Sequence, residues 1–319
     1  MKRTPSDSPA WRCACHHFAV SSVCGFKRRE FETVWKAIEA AAASAPWTEA
    51  AAVVLEGLGI GRERFLAVLR GALRPAIPLE PDDHVVASDD VDYPPRLGEV
   101  AGPPRFLFMR GRIELLDGRP AIAVVGTREP SGEGRGRARK LGYLLAKRGI
   151  VVVSGLARGI DGEAHRGALA IGGDTVAVLG TPLTRVYPRE HAALQAQIGA
   201  VGALVSQFHP AAEIQRHFFP MRNATMSGLC LGTVVVEASE TSGALIQARQ
   251  CLQQGRKLFI PQSALDDPRL TWPQRFLKQG AHRFRTIEEL MEVLEQEGLV
   301  EEGSAPNDHV STVVTLDVR

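Results

Sequence analysis

The stretch Gly126-Thr127-Arg128-Glu129-Pro130-Ser131-Gly132-Glu133-Gly134 holds residue types that could bind an anion. Glycines admit a ligand close to the backbone, Arg128 supplies a guanidinium fork, and a helix beginning near Glu133 would offer free N–H groups. Gly132, Gly134 and Gly136 recur every second residue, so this is not the dinucleotide spacing G-x-G-x-x-G, and a tight turn beside a solvated arginine is the plainer alternative. A second rim follows at Ser154-Gly155-Leu156-Ala157-Arg158-Gly159-Ile160-Asp161, where Asp161 is placed to cap a helix and Arg158 to share the rim with Arg128. His165, inside that helix, reads as a packed histidine, because no Ser-His-Asp or Cys-His arrangement is visible to use it. Phe218-Phe219-Pro220-Met221-Arg222-Asn223 sets aromatic rings beside an arginine and an amide, the chemistry of base stacking and phosphate contact on single strands. A core phenylalanine beside a surface arginine is the competing reading. Ser242 and Gly243 open a helix and form a second candidate anion nest.

Between Arg269 and Arg285 five basic residues, Lys278 among them, alternate with Trp272, Phe276 and Phe284 and with no acid. That pattern suits a nucleic-acid groove, although a charge run is more often a solvated face. Cys13, Cys15, His16, His17 and Cys24 match no C-x₂-C pair, so no metal site is expected, and no cofactor is implied. No carboxylate pair or activated nucleophile stands at a strand end. Glu237 and Asp161 are the acids there with a plausible aim, and the expectation is a non-enzyme.

Charge is distributed unevenly beneath a formal net of +2. Residues 128–158 carry a local +6 and residues 287–319 a local −8, which predicts a basic face and an acidic tail. No apolar run approaches the ~18–20 residues of a membrane span, and the N-terminus lacks the apolar core of a signal peptide. Five cysteines, an odd number, fit reduced thiols, and the expected location is the cytoplasm.

Positioning these residues falls to short Val/Ile-rich runs at Ala121–Gly126, Ile150–Gly155, Thr175–Gly180, Ala203–Ser206, Thr233–Ala238 and Lys257–Pro261. Each is apolar throughout, as strands buried on both faces must be. Helical stretches alternate with them near Glu133–Arg148, Asp161–Ile171, Glu190–Ile198 and Ala244–Gln254. The pattern predicts an α/β fold, a doubly wound and mostly parallel sheet whose ligands lie beyond the strands' carboxyl ends. Residues 1–26 read as a polar extension, 27–75 as a small helical domain, 76–104 as a linker, 105–286 as the α/β domain and 287–319 as an acidic helix and tail.

In this order the motifs resemble the DNA-processing protein A family (DprA, also called Smf) from about Tyr93 to Ala281. The elements that carry the likeness are Gly126-Thr127-Arg128 with Ser131 and Gly134, Ser154-Gly155-x-Ala157-x-Gly159-Ile160-Asp161, and Ala177-Val178-Leu179-Gly180. Tyr187-Pro188, Phe219-Pro220-x-Arg222-Asn223, Gly228-Leu229, Val236-Glu237-Ala238, Ser242-Gly243-x-Leu245-Ile246 and Gly255-Arg256 continue it. The resemblance implies an extended Rossmann-like domain that binds single-stranded DNA, forms a homodimer and loads a RecA-type recombinase during DNA uptake and recombination. Taken with the basic residues Arg158 and Lys278, it leads to the expectation that Gly126, Thr127, Arg128, Ser154, Gly155, Arg158, Phe219, Arg222, Asn223, Ser242, Gly243 and Lys278 lie at the DNA.

The chain also departs from the family pattern. Ala224 stands where a second arginine is usual, Gln207 where an acid is usual, Gln262 where a glycine is usual, and Leu270–Leu277 replaces a Gly-x-Asn segment, which predicts a remodelled pocket. The residues after Arg285 read as too short and acidic for the C-terminal winged helix that some members carry. The rival reading is a nucleotide-ligand sensor or phosphoribohydrolase on the same fold, as in a defence system. Its Pro-Gly-Gly-x-Gly-Thr-x-x-Glu motif is not in the sequence. A pure protein-interaction scaffold would need neither basic cluster.

Overall fold

The structure is a computed structural model and describes residue 5, residues 8–24 and residues 28–301. Four helices come first: α1 (Pro9–Cys24), α2 (Arg28–Ala42), α3 (Trp47–Gly57) and α4 (Arg62–Leu73). The Gly-rich break between α3 and α4 is a Schellman turn. Gly59 sits at φ 79°, its N–H reaches Glu56 O, and Ile60 N–H reaches back to Leu55 O at 2.9 Å.

Residues 9–24 are therefore a helix, not part of a polar extension. Trp11, Cys15, Ala19 and Val23 recur every four residues and are buried on one face. Half-buried Cys13, His16 and His17 widen the packed surface without adding charge, His16 stacking on Trp47 and His17 lying against Phe31 and Trp35, so the sequence shows little amphipathic contrast. Residues 76–104 also do more than link. They contain the edge strand β1 (His84–Ala87) and the short helix α5 (Pro95–Gly98), with Tyr93 and Leu97 buried and Tyr93 Oη donating to Pro104 O at 2.6 Å.

The remaining elements run β2 (Phe106–Gly111), β3 (Ala121–Val125), α6 (Gly132–Lys147), β4 (Val151–Ser154), α7 (Ile160–Leu169), β5 (Thr175–Val178), α8 (Ala192–Val201) and β6 (Ala203–Ser206). Then come α9 (Phe218–Gly228), β7 (Gly232–Val235), α10 (Ala244–Gln253), β8 (Lys257–Pro261), α11 (Gln262–Leu265), α12 (Trp272–Leu277), β9 (His282–Phe284) and α13 (Ile287–Gln296). The nine strands form one sheet in the order β1-β2-β6-β5-β4-β3-β7-β8-β9. Pairing is parallel from β6 to β9, and β1 and β2 add an antiparallel edge. This is the expected doubly wound α/β sheet. Strand succession reverses direction between β3 and β7, which makes the carboxyl ends of those two strands the switch point.

Alternation along the strands sorts the core into two faces. Ala123, Val125, Val153, Val178 and Val235 meet α5, α9, α10 and α12 on one side. Ile122, Val124 and Val152 meet α6, α7 and α13 on the other. Farther along that second side, Ala177 and Leu204 share a core with Trp11, Ile38, Leu55 and Phe65 of the first four helices. The N-terminal helices are thus packed on the sheet as a continuation of one layer.

His209, just past β6, secures the junction. Its ring stacks on Phe18 (centroids 4.5 Å) and Trp11 (5.1 Å), and Nε2 lies 3.4 Å from Cys15 Sγ. Nδ1 accepts from Ala211 N–H, so Nε2 carries the proton and donates to the thiol, which in turn donates to Ala72 O. The acidic helix α13 begins where expected, capped by Thr286 Oγ1, and the tail beyond residue 301 lies outside the described residues.

Candidate nucleic-acid interface

A pocket of about 420 Å³ opens at the switch point. The β3–α6 loop contributes Gly126, Thr127, Arg128 and Glu129, and the loop after β4 contributes Ala157 and Asp161. Helix α9 lays down Phe219, Pro220, Arg222, Asn223 and Met226. The loop after β7 and the first turn of α10 close the pocket with Ser239, Ser242, Gly243, Ala244, Ile246 and Gln247. Eight residues expected at DNA therefore converge: Gly126, Thr127, Arg128, Phe219, Arg222, Asn223, Ser242 and Gly243.

Phe218 and Phe219 divide their labour. Phe218 is buried and stacks on Phe208 at 3.9 Å, whereas Phe219 is half-buried on the pocket wall. The Arg128 guanidinium sits over the Phe219 ring at 5.7 Å, and the exposed Tyr187 ring approaches it at 5.5 Å. Gly180 makes room for this ring, since a Cβ there would lie 2.6 Å from it. Among the described residues no ion pair engages Arg128.

Arg222 is built into the floor. Its Nη1 donates to Val178 O at 2.6 Å and to Gly155 O, and its Nε donates to Asn223 Oδ1 at 3.1 Å. Asp161 is equally buried and accepts the N–H groups of Gly155 (3.1 Å) and Ala157 (3.4 Å). Burial raises the Asp161 carboxyl above its usual range against the pull of Arg222, and burial lowers the Arg222 guanidinium against the pull of Asp161. Asp161 does not cap α7: Gly159 holds that position at φ 74°, and Asp161 instead fastens the loop before the helix. That loop includes Leu156 at φ 56°, an αL backbone costing about 1–2 kcal/mol and held by His191 Nδ1–H donating to Leu156 O.

Several expectations change here. The α6 N-terminus is no open anion cradle, because Glu237 already fills it. Glu237 accepts from Ser131 N–H (2.8 Å) and Ser131 Oγ (2.7 Å) and pairs with Arg137 at 3.3 Å, while a Cβ on Gly134 would overlap the carboxylate. The backbone donors at Ser242–Gly243 are largely spent. Ala244 N–H bonds Ser242 Oγ, Leu245 N–H bonds Ser242 O and Ile246 N–H bonds Gly243 O, leaving an approachable backbone rather than a nest. Ser154 is fully buried with Oγ donating to Val124 O, and Gly155 is small so that the Arg222 guanidinium can lie against it. Neither reaches the pocket.

Half of the expected basic face is neutralised: Arg137 pairs with Glu133 and Glu237, Arg139 with Glu163, Arg148 with Glu288, and Arg158 with Glu190. In the 269–285 run, Trp272, Phe276 and Phe284 are core residues, and Trp272 Nε1 donates to Ala238 O at 2.9 Å. Lys278 is exposed at the end of α12, away from the pocket. Gln207, Ala224, Gln262 and Leu270–Leu277 also line no part of it, so these departures alter its surroundings and not its wall. The residues that sequence reasoning missed are Ser239, Ile246 and Gln247. The last is signalled only by its place one turn into α10. Among the described residues no group of three or more His, Cys, Asp or Glu side chains could hold a metal ion, and no helix is long and apolar enough to cross a membrane.

Comparison with known proteins agrees with this geometry. Residues 84–295 match the family model described as DNA recombination-mediator protein A. Protein Smf of Escherichia coli (strain K12) is 38% identical over 250 residues, which are 76% of this chain and 67% of that protein. The X-ray structure of DNA processing protein A from Streptococcus pneumoniae superposes with a TM-score of 0.71 at 27% identity, covering 92% of this chain and 98% of that one. The Helicobacter pylori DNA processing protein A, whose structure describes a single-stranded DNA binding mode, superposes with a TM-score of 0.59 at 25% identity, covering 67% and 96%.

Proposed function

The chain belongs to the DNA recombination-mediator protein A family, and from that premise we propose that it binds single-stranded DNA in the switch-point pocket. In this reading it acts in the cytoplasm as a homodimer, delivers the strand to a RecA-type recombinase, and turns over neither DNA nor nucleotide. One observation carries the ligand assignment: an arginine in no ion pair among the described residues lies over a half-buried phenylalanine ring at the mouth of a pocket floored by buried Arg222 and Asp161. A ring to stack a base beside a cation to meet its phosphate is the arrangement that single strands use. The single-stranded DNA binding mode of the Helicobacter pylori relative supports the same ligand.

Arg128, Thr127, Phe219, Asn223 and the open backbone at Gly243 are the contacts of this proposal. Arg158 is tied to Glu190 and Lys278 stands apart, so both would meet only flanking phosphates. The non-catalytic part is supported by Glu237. The acid best placed to act as a base is bound to Ser131 and Arg137 and does not line the pocket.

The test is affinity for a labelled oligothymidylate across salt. Each phosphate neutralised on a single strand contributes a slope of about 0.7 in log affinity against log salt. With half of the basic face in internal ion pairs and Arg128 the arginine at the pocket mouth, a shallow slope of about 1–2 is expected. Equal binding to a blunt duplex would refute the reading.

A further inference from the structure

The loop between β7 and α10 brings Ser239, Ser242 and Gly243 to the pocket, and Ser239, Glu240, Thr241 and Gly243 are exposed. A small-residue loop of this kind has many conformations to lose before it can shape a wall. Its near end is fixed, with Val236 N–H donating to Val125 O at 2.9 Å and Thr127 N–H donating to Glu237 O at 2.7 Å. From Ala238 onward, among the described residues, the hydrogen bonds that tie the loop to anything but itself and α10 come from residues 271 and 272. Trp272 Nε1 donates to Ala238 O at 2.9 Å. The N–H groups of Thr271 and Trp272 both donate to Glu240 Oε1, at 2.5 and 3.0 Å.

Thr271 and Trp272 open α12, in the Leu270–Leu277 stretch that departs from the family pattern and lines no part of the pocket. The helix has no side-chain cap of its own and Pro273 has no N–H, so Glu240 supplies from the loop the acceptor that the first turn lacks. The anchor is firm, since Trp272 is fully buried and meets Phe276 edge-on at 6.3 Å. Ala238 and Glu240 are thus held by α12 while Ser239 between them lines the pocket. The two N–H groups also hold the Glu240 carboxyl below its usual range, which keeps it ionised at neutral pH. By charge alone, an anion in a loop bordering a site for a polyanion works against binding.

We propose that Glu240 is a positioning residue for strand binding: it clips the Ser239–Gly243 loop to α12 and does not itself contact the strand. This rests on the reading of the pocket as a single-strand site and names what keeps one wall of it in shape. A chain whose loop is in place for only a fraction of the time binds more weakly by that fraction. Grip and charge are separable here, because one carboxylate oxygen accepts both N–H groups and a glutamine Oε1 can do the same.

The experiment compares the full chain with Glu240→Ala and Glu240→Gln, measuring affinity for a labelled oligothymidylate and, without DNA, backbone hydrogen exchange over residues 238–243. Glu240→Ala loses the grip and should bind roughly 3- to 10-fold more weakly, with faster exchange in the loop. Glu240→Gln keeps the grip and sheds the repulsion, so it should bind at least as tightly as the unaltered chain, with exchange unchanged. Tighter binding by both variants would make Glu240 a repelling charge and nothing more. Equal losses by both would make its charge a contact, and unchanged affinity in both would leave it without a role. Each of these three results overturns the positioning role while leaving strand binding intact. Absence of binding by the unaltered chain would overturn both. Should Glu240→Ala not fold, Glu240→Asp, which keeps the charge and withdraws the oxygens by one methylene, takes its place. The same loss is then expected, and unchanged affinity refutes the proposal.

Discussion

Arg128 and Arg222 border the same pocket, yet truncating them should have opposite consequences. Arg128 touches a ring at the mouth and joins no ion pair among the described residues. Arg222 is buried, bonded to two strand-end carbonyls and paired electrostatically with Asp161. Arg128→Ala should lower affinity for single-stranded DNA by about 10- to 100-fold, the loss of a charge-assisted contact worth about 1.5–3 kcal/mol, with the melting temperature unchanged. Arg222→Ala, run beside it, leaves Asp161 as an uncompensated buried charge and should cost about 3–5 kcal/mol of stability. Binding isotherms and thermal melts of the two variants separate the roles; a destabilised Arg128→Ala with normal affinity would show that Arg128 is structural. Residue type and order were enough to bring both arginines to one site. Their division was illegible, because it depends on which carbonyls the chain brings within 3 Å of each guanidinium.

Among the elements, α1 shows what sequence patterning can and cannot carry. The parallel strands were legible because burial on both faces writes itself as an unbroken Val/Ile run. Their helices were legible from apolar spacing. Helix α1 was hidden because neutral histidines and cysteines, packed on the neighbouring helices, stand where charges would mark a face, and β1 and β2 because they form a short antiparallel edge that meets the parallel strands only through β6, far along the chain. Helix α9 was read as a motif and not as a helix, since Phe-Pro-Met-Arg-Asn suggested chemistry before it suggested periodicity. The same local bias made phosphate nests of Ser242–Gly243 and the α6 N-terminus, whose donors the fold spends internally. If α1 is part of the layer that covers the sheet, Trp11→Ala should destabilise the whole chain. It removes a 3% exposed indole lying against His209 and Phe108, a deletion costing about 3–5 kcal/mol. A single cooperative denaturant transition, shifted to lower midpoint, is expected; a second transition confined to the helices would show that they fold separately.

Across the whole molecule, histidines packed into the fold tie stability to pH, half-buried His17 and buried His165 and His209 among them. His17 lies among Phe31, Trp35 and Phe106, His165 is hydrogen-bonded to Thr175 beneath α7, and His209 is clasped by Trp11 and Phe18. Burial, helped at His17 by Arg105 and at His165 by His191 and nearby arginines, lowers their pKa values from 6.5 to about 4 for His17 and about 3 for His165 and His209. The unfolded chain takes up protons below pH 6.5 that the folded chain refuses until near pH 4 or lower. Their contribution is therefore fully present above pH 6.5 and is lost on acidification, at about 1.4 kcal/mol per pH unit for each histidine. Asp161 works the other way: its raised carboxyl lets the folded state hold a proton more tightly, so acidification toward its unfolded value stabilises. His16, stacked on Trp47, is lowered to about 4 as well and His282 is lowered too, so the histidines outweigh the one raised acid between pH 6.5 and about 4.5. The melting temperature should be level from pH 8 to 7 and fall steeply below 6.5, and His209→Gln should flatten that fall by about one histidine's share, provided the variant folds at pH 7.5. A melting temperature independent of pH over this interval would mean that these imidazoles are not held neutral in the fold, and that the layer joining the N-terminal helices to the sheet is open to protons.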